Sequence, residues 1–144
     1  TTATDQKLIA LAALGATPHA DLIQETLNFG LTEDVRAQDL FRLFAYCGSN
    51  PKGRHVTWSF TKENWDLLPS KYAQTLSSMN LIIKYTTDFS CQKDHDDIKK
   101  FFDGRDTKSI DMALNQTLEN VTISTKWVQR DSENVRKWLE ASLI

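Results

Sequence analysis

Three histidines, two cysteines and a tight acidic cluster are the groups in this 144-residue chain whose types could do chemistry. A hydrolytic zinc site needs two histidines one helical turn apart, a glutamate between them and a third ligand elsewhere. His19, His55 and His95 are scattered, and none has another histidine four residues away. There is no G-x-S-x-G elbow and no glycine-rich loop to cradle a phosphate. Asp94, Asp96 and Asp97 beside His95 could suggest a metal. They open a predicted helix, however, where carboxylates face the positive end of the dipole, and the structural role is favoured. Cys47 and Cys91 are too few for a disulfide scaffold and are expected to be buried free thiols in a reducing compartment. No metal or cofactor is therefore assigned to this chain.

One cation does call for a partner. In EDVRAQDLF, Arg36 falls in the first turn of a predicted helix, where positive charge opposes the dipole. The apolar stripe below it is Ala37, Leu40, Leu43, Phe44 and Cys47, with Arg36 near its edge and Gln38 and Asp39 on the polar side. Two partners are open. One is an internal carboxylate, either Asp39 or an acid from another helix; the other is the carboxylate of a ligand.

The elements that must position these residues read as helices. Only five glycines and three prolines occur, mostly between apolar-periodic segments. Helices are predicted over about 5–14, 18–29, 33–47 with a Thr32 cap, 52–67 ending before Pro69, 70–89, 94–103 stopping at Gly104, 107–129, and 132–142 with Asp131 as cap. They pair into four antiparallel hairpins that begin about 29 to 37 residues apart, the range of two-helix repeats. The expected fold is all-α: an α-solenoid of the HEAT or armadillo kind, with a closed bundle as the alternative.

The stretch GRHVTWSFTKENWD carries two apolar stripes on one predicted helix. Val56, Phe60 and Leu67 lie on one side, and Trp58 and Trp65 near the opposite side. A helix on the surface of a bundle needs one stripe. Two stripes imply neighbours on both sides, so both tryptophans are expected in the core, the alternative being an exposed aromatic strip.

Composition narrows function. A net charge of −2 with mixed signs gives no case for a nucleic-acid partner. No run approaches 18 apolar residues, so no membrane span is expected. TTATDQKLIA has no basic n-region before an apolar stretch and does not read as a signal peptide. The sequons at Asn115 and Asn120 fall inside a predicted helix, where chance is the better reading unless the chain is secreted.

Four segments then carry a resemblance: ALGATPHADLIQETLNFGLTEDVRAQD, GRHVTWSFTKENWDLL, DIKKFF and LENVTISTKWVQRDSENVRKWL. In this order and spacing they resemble the C-terminal helical domain of the zinc aminopeptidases that include the puromycin-sensitive and membrane alanyl enzymes. The puromycin-sensitive type is the nearer, through LGAT, DLIQ and VRAQD. The resemblance covers nearly the whole chain. It implies a parent enzyme that removes N-terminal amino acids from peptides by zinc-polarised attack of water, with its zinc in a catalytic domain outside this chain. This chain would be a non-catalytic C-terminal portion, cytoplasmic, with the catalytic domain of the same polypeptide and peptide substrates as partners. Its helices would wall the peptide cavity. Arg36, Gln38 and Asp39 match the V-R-x-Q-D positions near that cavity. Asn80 stands where relatives carry a basic residue, so anchoring of a peptide's C-terminal carboxylate would be weakened or moved elsewhere. The rival is a free-standing helical-repeat module that grips a protein or peptide. It is disfavoured because LIALAALG is apolar around most of its circumference and lacks the polar face of a capping repeat.

Overall fold

A computed structural model describes residues 3–71 and 77–143. The described secondary structure is helical: α1 (Ala3–Gly15), α2 (Ala20–Gly30), α3 (Ala37–Ser49), α4 (Arg54–Glu63), α5 (Leu68–Lys71), α6 (Ser77–Thr86), α7 (Gln92–Phe102) and α8 (Asp111–Ser142). Along the chain α1 packs on α3, α3 on α6, and α6 on α8, while α2 packs on α4 and α7 on α8. The all-α expectation therefore holds.

The first hairpins match their predicted spans, with one shift. Thr32 does not cap α3. Its hydroxyl donates to the Phe29 carbonyl and closes the end of α2, so α3 starts at Ala37. The predicted span ends at 47, but α3 runs on through Gly48 to Ser49. A Cβ at Gly48 would collide with the Tyr85 carbonyl oxygen, so glycine there lets α3 approach α6. Gly104, with φ 74°, follows α7 as predicted.

The helix predicted over 52–67 is shorter. It ends at Glu63, and the Asn64 amide nitrogen donates to the Phe60 carbonyl, filling an end-of-helix acceptor. Pro69 lies inside α5 instead of beyond a helix, in the first turn, where its missing N–H is harmless. The helix predicted over 70–89 partly falls outside the described residues; its described end is Thr86.

The last expected hairpin does not form. Residues 107–129 and 132–142 are one helix, α8, and Asp131 is not a cap. No glycine or proline occurs after Gly104 to break it. Asp131 instead accepts from the neighbouring Arg130 Nη2 at 2.6 Å. Leu114, Thr117, Val121 and Thr125 of α8 face the body, and most of the residues beyond Gln129 are exposed.

Two apolar clusters fill the interior. One holds Leu11, Ile23, Leu27, Leu40, Leu43, Phe44, Phe60, Leu68 and Ile82. The other holds Trp58, Ile83, Phe89, Ile98, Phe102, Leu114 and Val121. Residue 58 faces one and residue 60 the other, so α4 is packed from both sides, as its two stripes implied. The buried threonines Thr57, Thr61, Thr86 and Thr87 satisfy their hydroxyls on carbonyls four residues back, at Gly53, Thr57, Ile82 and Ile83.

The stripe reading fails at its C-terminal end. Leu67 is 62% exposed, and Leu68 takes the buried place. Trp65 sits in the turn after α4 and is only partly buried, although its ring packs edge-on to Phe102 at 5.0 Å. Trp58 is 3% exposed and meets Phe101 edge-on at 5.5 Å.

Trp58→Ala is expected to cost about 3–5 kcal/mol, as deletion of a buried aromatic does, and Trp65→Ala distinctly less. Urea denaturation of both variants checks the order; equal losses would contradict it.

Candidate functional site

Arg36 is the residue that precedes α3. Its backbone is extended (φ −65°, ψ 142°), and its carbonyl accepts the Asp39 N–H at 2.8 Å. The side chain folds back over the first turn. Nε donates to Asp39 Oδ2 at 2.8 Å, and Nη2 lies 2.8 Å from the same oxygen. Of the two partners open to Arg36, the internal one is made. Arg36 is thus a helix-capping position and not, as expected, a first-turn residue. The anion that offsets its charge is in the first turn, where the dipole favours it.

Asp39 was expected on the polar side, but its side chain is 12% exposed against 49% for Arg36. Both line a cavity of about 240 Å³ where α1 meets the connection from α2 to α3. Its apolar walls are Leu11, Leu14 and Phe29, and its charged groups are Lys7 and Arg36 facing Asp34 and Asp39. A second, mainly apolar cavity of about 420 Å³ between α1 and α2 shares Leu14 and Phe29. An apolar floor with charges of both signs suits a chain that carries donors, acceptors and side chains together, as a peptide does.

The other two candidates are placed elsewhere. Gln38 is exposed and does not line the Arg36 cavity. Asn80, on α6, lines a separate cavity of about 580 Å³ against α8, with Lys84, Lys108, Asp111, Gln116 and Asn120. Sequence reasoning missed Lys7, Asp34, Lys84 and Lys108. Lys7 and Lys108 enter through helix packing that no local spacing announces, whereas Asp34 adjoins Val35 and Arg36, and Lys84 stands one turn along α6 from Asn80.

The acidic cluster at α7 has partners in the fold. Asp97 Oδ2 accepts the Trp58 indole N–H and the Lys62 ammonium, each at 2.7 Å, and so ties α4 to α7. Burial pushes the Asp97 carboxyl up, but the bonds from Lys62 and Trp58 outweigh it and hold the group below its ordinary range. Asp94 accepts from the Cys91 thiol at 3.1 Å and lies 3.2 Å from His55 Nε2, whose ring stacks on Phe89 at 4.9 Å. His95 bonds Gln92 and Asp96. Cys91 is exposed, contrary to expectation, because it is the capping position of α7 and not part of its apolar face; Cys47 is buried, and burial pushes its thiol up to about 12.

The ERAP1-like C-terminal domain family matches residues 1–123. Aminopeptidase 2, mitochondrial, of Saccharomyces cerevisiae is 32% identical over 137 residues, covering 94% of this chain and 14% of its own length. Aminopeptidase M1-B of Oryza sativa subsp. japonica is 32% identical over 124 residues, 86% of this chain and 14% of its own. Endoplasmic reticulum aminopeptidase 2 of Bos taurus is 30% identical over 136 residues, 92% of this chain and 14% of its own. The chain thus spans 14% of the length of these relatives.

Two expected outcomes follow from the site. With half of the Arg36 side chain in solvent, its pair with Asp39 contributes on the order of 0.2–1 kcal/mol. Arg36→Met should lower unfolding free energy by no more than about 1 kcal/mol in urea; a loss of about 3–5 kcal/mol would mark a buried charge left unpaired. Asp97 has a lowered folded value against about 3.9 unfolded, so its contribution is present above about pH 4 and lost as pH falls through the folded value. Asp97→Asn should therefore be less stable than the parent at neutral pH, with a gap that closes below about pH 4 in thermal melts. A gap unchanged down to pH 2 would contradict this.

Proposed function

The chain belongs to the ERAP1-like C-terminal domain family, and from that premise we propose that it is the C-terminal helical part of a zinc aminopeptidase that removes N-terminal amino acids from peptides. In this reading the helices form a solenoid segment, wall the peptide cavity beside the catalytic domain of the same polypeptide, and perform no chemistry alone. One observation carries the reading. The family match takes in all three described cavities, and relatives named as aminopeptidases match 86% to 94% of this chain with only 14% of their own length.

The zinc belongs to another part of such an enzyme. Among the described residues no group of His, Cys, Asp or Glu could hold a metal ion. His55 and Cys91 each bond the Asp94 carboxylate. What this chain offers is binding: the Arg36 cavity with its charges of both signs, and the Asn80 cavity between α6 and α8. The puromycin-sensitive type, supported by LGAT, DLIQ and VRAQD, and a cytoplasmic location complete the reading. No described helix is long and apolar enough to cross a membrane.

The chain alone, with added zinc and an aminoacyl chromogenic amide, should show no turnover; activity that survives repurification and scales with the chain would overturn the assignment. In the longer polypeptide, Arg36→Met should lower kcat/KM on peptides about ten-fold more than on single-residue amides, about 1.4 kcal/mol of differential binding. An unchanged ratio with normal melting would remove Arg36 from the cavity wall.

A further inference from the structure

The distal half of α8 runs past the body of the molecule and carries an apolar face that no described residue covers. Trp127 is 51% exposed and Trp138 67%, with Val135 and Leu139 exposed beside them. At about 100° per residue, Trp127, Asp131, Asn134 and Trp138 fall within about 60° of one another. With Val135 they line a groove of about 350 Å³. The other charges lie on the opposite side of the helix. Arg136 bridges Glu133 at 2.7 Å and Glu140 at 2.6 Å, and Lys137 lies 3.7 Å from Glu133. That side is complete in water, whereas a row of exposed aromatic rings is not. Asp131 is the one charge lining the groove, and Arg130 neutralises it from the rim, with Nε and Nη2 both donating to Oδ2. The family match ends at residue 123, before this face begins.

The order of residues along the groove selects its occupant. It reads aromatic, polar, polar, aromatic from either end, and each tryptophan stands one turn from its polar neighbour. Two copies laid antiparallel, about a two-fold axis midway between residues 132 and 133, set each Trp127 level with the other's Trp138 and each Asp131 level with the other's Asn134. The Asn134 amide then donates to the facing Asp131 Oδ1, twice by symmetry, while Oδ2 stays with Arg130. A strongly charged partner finds nothing to pair with, because the groove's carboxylate is already neutralised. A buried tryptophan contributes roughly 150–250 Å², so at these exposures the four rings of a pair cover roughly 500 Å². Val135, Leu139 and the polar pair raise the total toward the roughly 1,000 Å² at which specific interfaces begin. We propose that the distal half of α8 is a homodimer interface, in which two copies of this chain pair antiparallel and reversibly through Trp127, Asp131, Asn134 and Trp138.

The test is sedimentation velocity of the 144-residue chain across roughly 1–100 µM, the range suited to an interface this small. The chain should pass from monomer to dimer and stop there, because a two-fold pairing closes on itself. Trp138→Gln should hold it monomeric throughout and leave the melting temperature of the dilute protein unchanged, since the ring faces solvent in a single copy. Asn134→Asp sets a second carboxylate against the facing Asp131 and should weaken dimerisation about ten-fold at neutral pH. Adding Asp131→Asn to that variant reverses the pair and should restore the dimer, which a merely structural role for either residue would not do. A monomer at the highest concentration would overturn the proposal and leave the groove to another part of the longer polypeptide. Growth beyond the dimer, or a dimer indifferent to Trp138→Gln, would overturn it as well.

Discussion

Everything in this chain hangs on one helix that is packed from both sides. In α4, Phe60 and Trp58 stand two residues apart, so their side chains project about 200° from one another. Phe60 closes the cluster built by α1, α2 and α3. Trp58 closes the cluster built by α6, α7 and the first half of α8. Adjacent residues of α6 divide the same way, with Ile82 on one side and Ile83 on the other. A single apolar stripe on either helix would leave two half-cores, each short of the burial that ordering its chain requires.

Polar contacts then fix how the second cluster sits on α4. Asp97 accepts from both Trp58 and Lys62, and the Lys62 ammonium lies 5.4 Å from the Trp58 ring centroid. The carboxylate therefore orients the indole whose face the lysine covers. Four buried threonines, Thr57, Thr61, Thr86 and Thr87, turn their hydroxyls onto carbonyls four residues back, so these polar residues pass through the core with their groups satisfied. Arg54 Nε, Asn80 Oδ1 and Thr125 Oγ1 are buried without a partner among the described residues.

Local chemistry was legible in the sequence, and its long-range consequences were not. The two stripes of GRHVTWSF announced a helix between neighbours because periodicity is a property of the helix itself. The stripe was extended too far, to Leu67, because nothing in NWDLLPS distinguishes a last helical turn from the turn that follows it. The break expected near Asp131 rested on a capping residue type alone; an aspartate can pair with the arginine beside it, and no glycine or proline forces the chain to stop. Arg36 and Asp39 were singled out together, but the burial of Asp39 depends on α1 lying over them, and no spacing within VRAQD encodes that contact. Lys84 and Lys108 are distant in sequence and meet only through the packing of α6 on α8.

The functional account joins two wall segments that the same packing creates, one with Arg36 and Asp39 and one with Asn80 and the two lysines. A structure of the longer polypeptide with a peptide bound tests this most directly. The account predicts peptide atoms within hydrogen-bonding distance of Arg36 or inside the Asn80 cavity, on the side open to the catalytic domain. A bound peptide whose path leaves both cavities facing bulk solvent on the far side of the helices would contradict it.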